Sequence, residues 1–418
     1  MKKCIYLLIC SCTCLLLLHC TAPAGQRHTV KSGDSIKDAI KKMMPGDTLF
    51  VHNGTYNERF SLPESGTAEK PMVLMAKAGE APVIRVKGRI LTINKGHWVI
   101  AGLTFDAGNG KKDAVKIKKD AHHVVIKNCV FRNGRRDAID IDGACTDIVI
   151  KENEIFDFFA PDRDAHGIVV ESGAARVKIL SNKIYDVSGD CVQLYAADKD
   201  SVSGYARDIE IRDNLLYTTR GKDSENALDF KGVDGAEITG NEMYGFENKV
   251  IVVQKGCRNI LFEGNTIYDS QRGVEFRGEG GKTIADIIFK NNVVFDIREY
   301  YAIKFDRVEN ISILNNTFAR ITPPVFRVDD DGITAGLFTK NLFYKTGSPK
   351  IKGVFEATVD DNAWFQAGAG RLAGSRDVTG TAPGFINPGG NDFKPGKGSP
   401  AAGHGAHGGE PVSNRMKD

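Results

Sequence analysis

One asparagine recurs down this chain in constant company. It is followed by a variable residue, an aliphatic and an aromatic, as NCVF at 128, NEIF at 153, NKIY at 182, NLLY at 214, NEMY at 241, NTIY at 265 and NVVF at 292. A looser NTF follows at 316, then NLFY at 341 and NAWF at 362, with successive spacings of 25, 29, 32, 27, 24, 27, 24, 25 and 21. A period in the twenties means stacked units, none of which buries its apolar face alone. The 418 residues, 41% of them hydrophobic, supply enough apolar material for a large core. Forty-five glycines with no strict Gly-x-x period exclude collagen and suit a chain full of tight turns.

Each unit carries two short alternating runs and no ten-residue helical pattern. One class is DIVIKEN (147–153), RVKILSN (176–182), DIEIRDN (208–214) and NILFEGN (259–265). The other is DAIDID (137), GIVVES (167), CVQLYA (191), ALDFKG (227), GVEFRG (273) and AIKFDR (302). Period-two alternation over about five residues predicts strands with one buried face. An asparagine at a fixed corner suits a tight turn, and stacked amides can hydrogen-bond along the axis. These features predict an all-β, single-domain parallel β-helix, with rungs about 4.8 Å apart. The asparagines at 153, 182, 214, 241 and 265 are expected to stack at one corner, with the aliphatic–aromatic pairs filling the core.

Aligning the second strand class yields outward columns. The middle one reads Lys116, Asp140, Val169, Gln193, Asp229, Val252, Glu275, Lys304. The next reads Lys118, Asp142, Glu171, Tyr195, Lys231, Gln254, Arg277, Asp306, and just before each strand stand Asp137, His166, Asp190, Asn226, Lys249, Arg272 and Tyr301. This strip is richer in chemistry than solvation requires. The three longest repeat intervals are consecutive, and their extra residues fall at 157–165, 196–206 and 218–225, beside the strip. Long loops on a solenoid wall a groove, so the groove should centre on the rungs of His166, Asp190 and Asp229. His166 and Asp190, equivalent on adjacent rungs, are a candidate dyad or a loop anchor. Asp140, Asp142 and Glu171 form an acidic patch that is either a calcium site or solvated. Gln193, Glu275, Lys249 and Lys304 line the groove as candidate substrate contacts.

Lys2 and Lys3 precede a mostly apolar run over 5–18, too short to span a bilayer and suited to an export signal. It ends in LLLLHC, where Cys20 is a candidate lipidation site that would anchor the protein to a membrane, plain secretion being the alternative. Five of the nine cysteines lie in this leader, and Cys129, Cys145, Cys191 and Cys257 are expected to be small buried residues. Without Lys2 and Lys3 the count is 54 basic against 53 acidic residues, a balance that gives nucleic-acid binding no support. The organisation read from this pattern is a leader over 1–20, a cap and first rungs over 28–90, a β-helix over 91–365, and an extension with a mobile tail over 366–418. A monomer is expected.

The segment 34–56, DSIKDAIKKMMPGDTLFVHNGTY, resembles the N-terminal cap of pectate-lyase-like right-handed β-helices, in which a short helix covers the open end of the core. Within SENALDFKG (224–232) and QRGVEFRG (271–278) the charges resemble those of polysaccharide lyases of the chondroitinase B and alginate lyase family. That resemblance implies an acidic polysaccharide or oligosaccharide as substrate and cleavage by β-elimination. It implies Glu225 and Asp229 as calcium ligands, Lys231 as base and Arg277 as its partner, with Arg272 in reserve. It differs from the family in that Lys249 and Gln254 intervene before the arginine, and Gln193 stands where a calcium-binding asparagine is expected. Lysine abstracts a proton only when neutral, so positive charge is expected beside Lys231. Tyr195, one rung away, is placed to return a proton to the leaving oxygen. A glycoside hydrolase or epimerase on the same fold, and a glycan-binding protein without turnover, are the competing functions.

Overall fold

The computed structural model describes residues 25–197 and 201–406. Residues 1–24, which hold the expected leader and Cys20, residues 198–200 of the 196–206 loop and residues 407–418 lie outside the described residues. The chain winds as a right-handed parallel β-solenoid of about 13 turns in one domain. Each full turn contributes three strands, one more than the two runs read from sequence, because the Asn-x-aliphatic-aromatic motif is itself a strand. Three parallel sheets result. Sheet I has 14 strands and includes Thr146–Lys151, sheet II has 14 and includes Glu154–Phe158, and sheet III has 12 and includes Ile168–Glu171. Beyond the last turn, Phe385–Asn387 and Asp392–Pro395 form an antiparallel pair. In the segment read as an N-terminal capping helix only Ile36–Ile40 are helical, with Ser35 accepting from the Asp38 N–H and Ile36 and Ile40 buried, and a cap over the end of the core is not shown.

The asparagines occupy the corner between sheets I and II and form a continuous buried ladder from Asn153 to Asn362. Asn214 illustrates the unit. Its Oδ1 accepts from the Asn182 backbone N–H at 2.8 Å and side chain at 3.1 Å, and its Nδ2 donates to Ile179 O and to Asn241 Oδ1, both at 2.9 Å. Every amide thus satisfies a backbone group that the sharp corner leaves without a strand partner. The residue before each ladder asparagine turns into the left-handed region, as at Glu152, Ser181 and Asp213.

Two expectations change here. NCVF at 128 is one residue out of phase: Asn128 takes the left-handed position at φ 52°, and Cys129 stands in line with Asn153, its N–H donating to Asn153 Oδ1 at 3.0 Å. Asparagine tolerates that conformation better than most residues, so it marks the corner without joining the ladder. The aromatics also point the other way. Ile155, Ile184, Leu216, Met243 and Ile267 fill the core, and strand alternation then turns the following residue outward. Phe156, Tyr185, Tyr217, Tyr244, Tyr268 and Phe295 form an external stack with centroids 4.8–5.2 Å apart, closed at Phe295 by Phe393 of the C-terminal segment. Trp98 and Trp364 pack in the core, and the four cysteines are buried and free.

Replacing Asn214 by Ala leaves acceptors and donors of two rungs unmatched inside the protein. It should cost about 2–3 kcal/mol, read as a lowered denaturant midpoint, whereas Asn128→Gly should be close to neutral. Equal costs at the two positions would contradict the ladder as the corner's support.

Candidate functional site

Sheet III carries the charged strip. Eight of its twelve strands bear it: β1 (Val115–Ile117), β2 (Ile139–Ile141), β3 (Ile168–Glu171), β4 (Val192–Tyr195), β5 (Leu228–Lys231), β6 (Lys249–Gln254), β7 (Arg272–Arg277) and β8 (Ile303–Asp306). Their pairing runs Lys116–Asp140–Val169–Gln193–Asp229–Val252–Glu275–Lys304 through the middle column and Glu171–Tyr195–Lys231–Gln254–Arg277–Asp306 beside it, the registers expected from sequence. These outward side chains are nonetheless mostly buried, and Asp140, His166, Asp190, Gln193, Asp229, Gln254 and Glu275 are each under a tenth exposed. They pair with one another. Three charge blocks follow along the axis.

At the N-terminal end, the Lys116 ammonium sits among Asp140, Asp142 and Glu171. Asp140 is buried while Asp142 and Glu171 stay partly exposed, so the acidic patch is part solvated and part neutralised by the Lys116 ammonium. Burial opposes the Lys116 charge, but the Asp140 and Asp142 contacts outweigh it and hold the amine above its ordinary value.

In the centre, His166 Nδ1 bonds Asp137 Oδ1 at 2.8 Å, and its Nε2 lies 3.5 Å from Asp190 Oδ2. The histidine's hydrogen-bonded partner is thus Asp137, on the rung before it, and not Asp190 on the rung after; Asp190 instead accepts from Gln193 Nε2 at 2.9 Å and Asn226 Nδ2 at 2.7 Å. Burial works against an imidazolium, yet Asp137 and Asp190 together raise His166 above its ordinary value. Burial, then the charge of Asp229, pushes Asp190 up, and burial with Asp164 does the same to Glu225.

Lys231 and Arg277 meet through a relay. Lys231 Nζ lies 2.8 Å from Asp229 Oδ2, Gln254 Nε2 donates to Asp229 Oδ1 at 2.8 Å, and Arg277 donates to Gln254 Oε1 at 2.7 Å. Gln254, which separates lysine from arginine in sequence register, joins them in space. The surroundings of Lys231 differ from expectation, since acids rather than cations adjoin it. Burial pulls the ammonium down, but Asp229, Asp190 and Glu225 outweigh it and hold the proton more tightly than usual. Tyr195 stands beside Lys231 in register and is 42% exposed.

The structure groups Glu225 with Asp164 and His166, their ligand atoms all within 4.8 Å of one another. Asp229, by contrast, spends both oxygens on Lys231 and Gln254. Calcium takes oxygen ligands; Glu225 and Asp164 offer them, and a cation there would relieve the like charges that push Glu225 up. Asp229 fits only by releasing its partners. Asp164, on the 157–165 loop, was missed as a site residue because loop contacts follow no strand register.

Toward the C-terminal end lie Lys249, Arg272, Arg277, Lys304 and Arg327 around Glu275. Its carboxylate takes Lys304 at 3.1 Å, the Tyr301 hydroxyl at 3.1 Å and Lys249 at 3.4 Å. Burial would raise Glu275, but Lys249 and Lys304 prevail and keep it below its ordinary value. Glu275 organises the cations and is not itself open to an anionic ligand. Arg272 lies 4.0 Å over the Tyr300 ring. A cavity of about 1000 Å³ on sheet I, lined by Val125, Val149, Leu261 and Ile288 among others, lies on a different face and shares none of these groups.

A family model for a Pel9A-like right-handed β-helix region matches residues 20–202, and one for a right-handed β-helix region matches 202–370. No curated protein matches the sequence. Among solved structures, the PL6 family alginate lyase AlyGC has a TM-score of 0.64 at 14% identity, over 91% of this chain and 56% of that one. The chain thus spans little more than half of that protein's length. A mannuronic acid specific polysaccharide family 6 lyase from human gut microbiota has a TM-score of 0.60 at 16% identity, over 88% and 94%. PfbA, a surface adhesin of Streptococcus pneumoniae, has 0.56 at 13%, over 73% and 84%. At these identities the likeness is one of fold.

The folded protein holds protons on His166 and Asp190 to higher pH than the unfolded chain, so the native state carries the excess protons and stability falls as pH rises. For His166 the window opens at the unfolded value of 6.5 and closes at the higher folded one. The denaturant midpoint, followed in chelator from pH 6 upward, should fall, and His166→Gln should flatten that slope. An unchanged slope in the variant would remove His166 as its source.

Proposed function

We propose that this chain, a pectate-lyase-like right-handed parallel β-helix, is a lyase that cleaves a uronate-containing polysaccharide by β-elimination in the sheet III groove. The observation that carries the reading is the position of Lys231, at the junction of a carboxylate-rich block and a cationic block. A polyanion would lie over Lys249, Arg272, Arg277 and Lys304, with the sugar to be cleaved reaching Lys231.

The chemistry removes the proton beside the uronate carboxylate, forms a carbon–carbon double bond and breaks the bond to the leaving oxygen, which takes up a proton. Lys231 is the proposed acceptor. It must first lose the proton that Asp229, Asp190 and Glu225 hold on it, and the relay through Gln254 places Arg277 to counter the Asp229 charge. Arg277 remains charged throughout and suits the substrate carboxylate. Tyr195, exposed one rung away, is the proposed donor to the leaving oxygen. Calcium, held by Glu225 and Asp164, would add positive charge opposite the developing enolate.

A second reading is glycan binding without turnover. What favours it is that Lys231 is ion-paired and protonated as the groove stands.

Assay of the purified protein on a panel of alginate, pectin-type and glycosaminoglycan substrates, with and without chelator, separates the two. Unsaturated uronate products in the ultraviolet are expected. Lys231→Ala should lower their rate by about 10²–10⁴ while sparing binding, the usual loss for a proton-transfer group, and Glu225→Gln should raise the calcium needed. Saturable binding with no unsaturated product from any substrate would establish the second reading.

A further inference from the structure

The groove does not use a cluster on another face. His97 directly precedes the sheet I strand Trp98–Ala101, and His122 and His123 open the next strand of that sheet, His122–Lys127. Trp98 pairs with Val124, which puts His97 and His123 in line on adjacent turns, and the His97 N–H donates to the His122 carbonyl at 3.0 Å. The backbone therefore fixes the three residues against one another. The His97 and His123 rings stack with centroids 4.7 Å apart, and His122 meets both edge-on at 5.0 and 5.3 Å. One nitrogen from each ring falls within 4.8 Å of the other two.

We propose that His97, His122 and His123 form a binding site for a divalent transition-metal ion of the zinc class, joining two neighbouring turns through imidazole nitrogens. Three observations support the assignment. First, His122 Nδ1 and His123 Nδ1 face each other at 3.0 Å. Two nitrogens bound at about 2.0–2.1 Å to one tetrahedral ion stand about 3.3 Å apart, so a shift of a few tenths of an ångström seats the metal between His122 and His123, and His97 completes the site by a larger ring rotation from within 4.8 Å. Second, the only ring-nitrogen hydrogen bond that the three make among the described residues is the one between themselves. They are not tied to a carboxylate, unlike His28, His52, His166 and His404, each of which lies against one. Third, the chain makes room for the cluster at Gly96, where a Cβ would come within 2.4 Å of His122 Cε1.

The ligand chemistry selects the ion. Three imidazoles and no carboxylate oxygen suit zinc, nickel or copper and not calcium or magnesium, which take oxygen. Three protein nitrogens leave a fourth tetrahedral position for water. A bound ion would hold the turn at 96–97 to the turn at 122–123 and so stabilise the folded chain by mass action.

The test is calorimetric titration of zinc chloride into the chelator-stripped full chain, beside His122→Ala, His123→Ala and His166→Ala, with circular dichroism as the check on folding. The readout is the difference between proteins, so zinc taken by the leader cysteines is a common background. Above that background wild type should show one saturable equivalent that His122→Ala and His123→Ala each weaken at least about tenfold, while His166→Ala keeps it. The zinc-induced rise in thermal midpoint should disappear in the same two variants. His123 is exposed, so its replacement leaves the core untouched. Titration curves that match across wild type, His122→Ala and His123→Ala would overturn the site. So would loss of the equivalent in His166→Ala alone, which would move the metal to the groove.

Discussion

Every arrangement in this molecule depends on turns stacking in strict register, and the buried amide ladder at the corner between sheets I and II is what supports that register. A solenoid corner leaves backbone donors and acceptors facing the core, where an unmatched group costs about 1–3 kcal/mol. The nine asparagines from 153 to 362 match them with side chains that also bond one another along the axis. A slip of one residue would turn the core aliphatics outward and break the ladder together, so the two penalties reinforce each other. With the corner pinned, insertions are confined to the other two corners among the described residues, and the long loops at 157–165 and 218–225 flank sheet III without disturbing the stack.

Register then converts sequence into columns, and columns into chemistry. On sheet II it produces a stack of aromatic rings whose faces are used against each other. On sheet III it produces a strip of ionisable groups so closely spaced that each sets its neighbour's charge. The strip is graded: a lysine enclosed by acids, then a carboxylate-rich centre around His166 and Asp190, then a cationic end ordered by Glu275. A chain with a net charge of only +3 thereby presents a strongly polarised strip. Lys231 stands at the transition, which is what makes it the proposed reacting group, and its present partners are acids that must be countered before it can accept a proton.

Much of this was legible from residues alone. Period-two runs and the spaced asparagines carry the parallel β-helix, and aligning GIVVES with CVQLYA and ALDFKG already places Gln193 beside Asp229 and Tyr195 beside Lys231. What escaped was of three kinds. Asn128 has the ladder's residue type in the wrong phase, because a left-handed corner and a ladder position both favour asparagine. The aromatics have the hydrophobicity of core residues, yet the aliphatic one position earlier takes the inward place. Contacts between columns and loops follow no period, so the pairing of His166 with Asp137, the approach of Asp164 to Glu225 and the occupation of the acidic patch by Lys116 emerge only in three dimensions.

The central claim is that the polarised groove of sheet III receives an anionic polysaccharide with its cleaved residue at Lys231. A crystal structure of the Lys231→Ala variant with a bound uronate oligosaccharide tests it most directly. The account predicts substrate carboxylates against Arg272, Arg277 and Lys304, with one sugar ring between position 231 and Tyr195. An oligosaccharide lying on the sheet I cavity, or one whose carboxylates avoid the cationic end of sheet III, would contradict it.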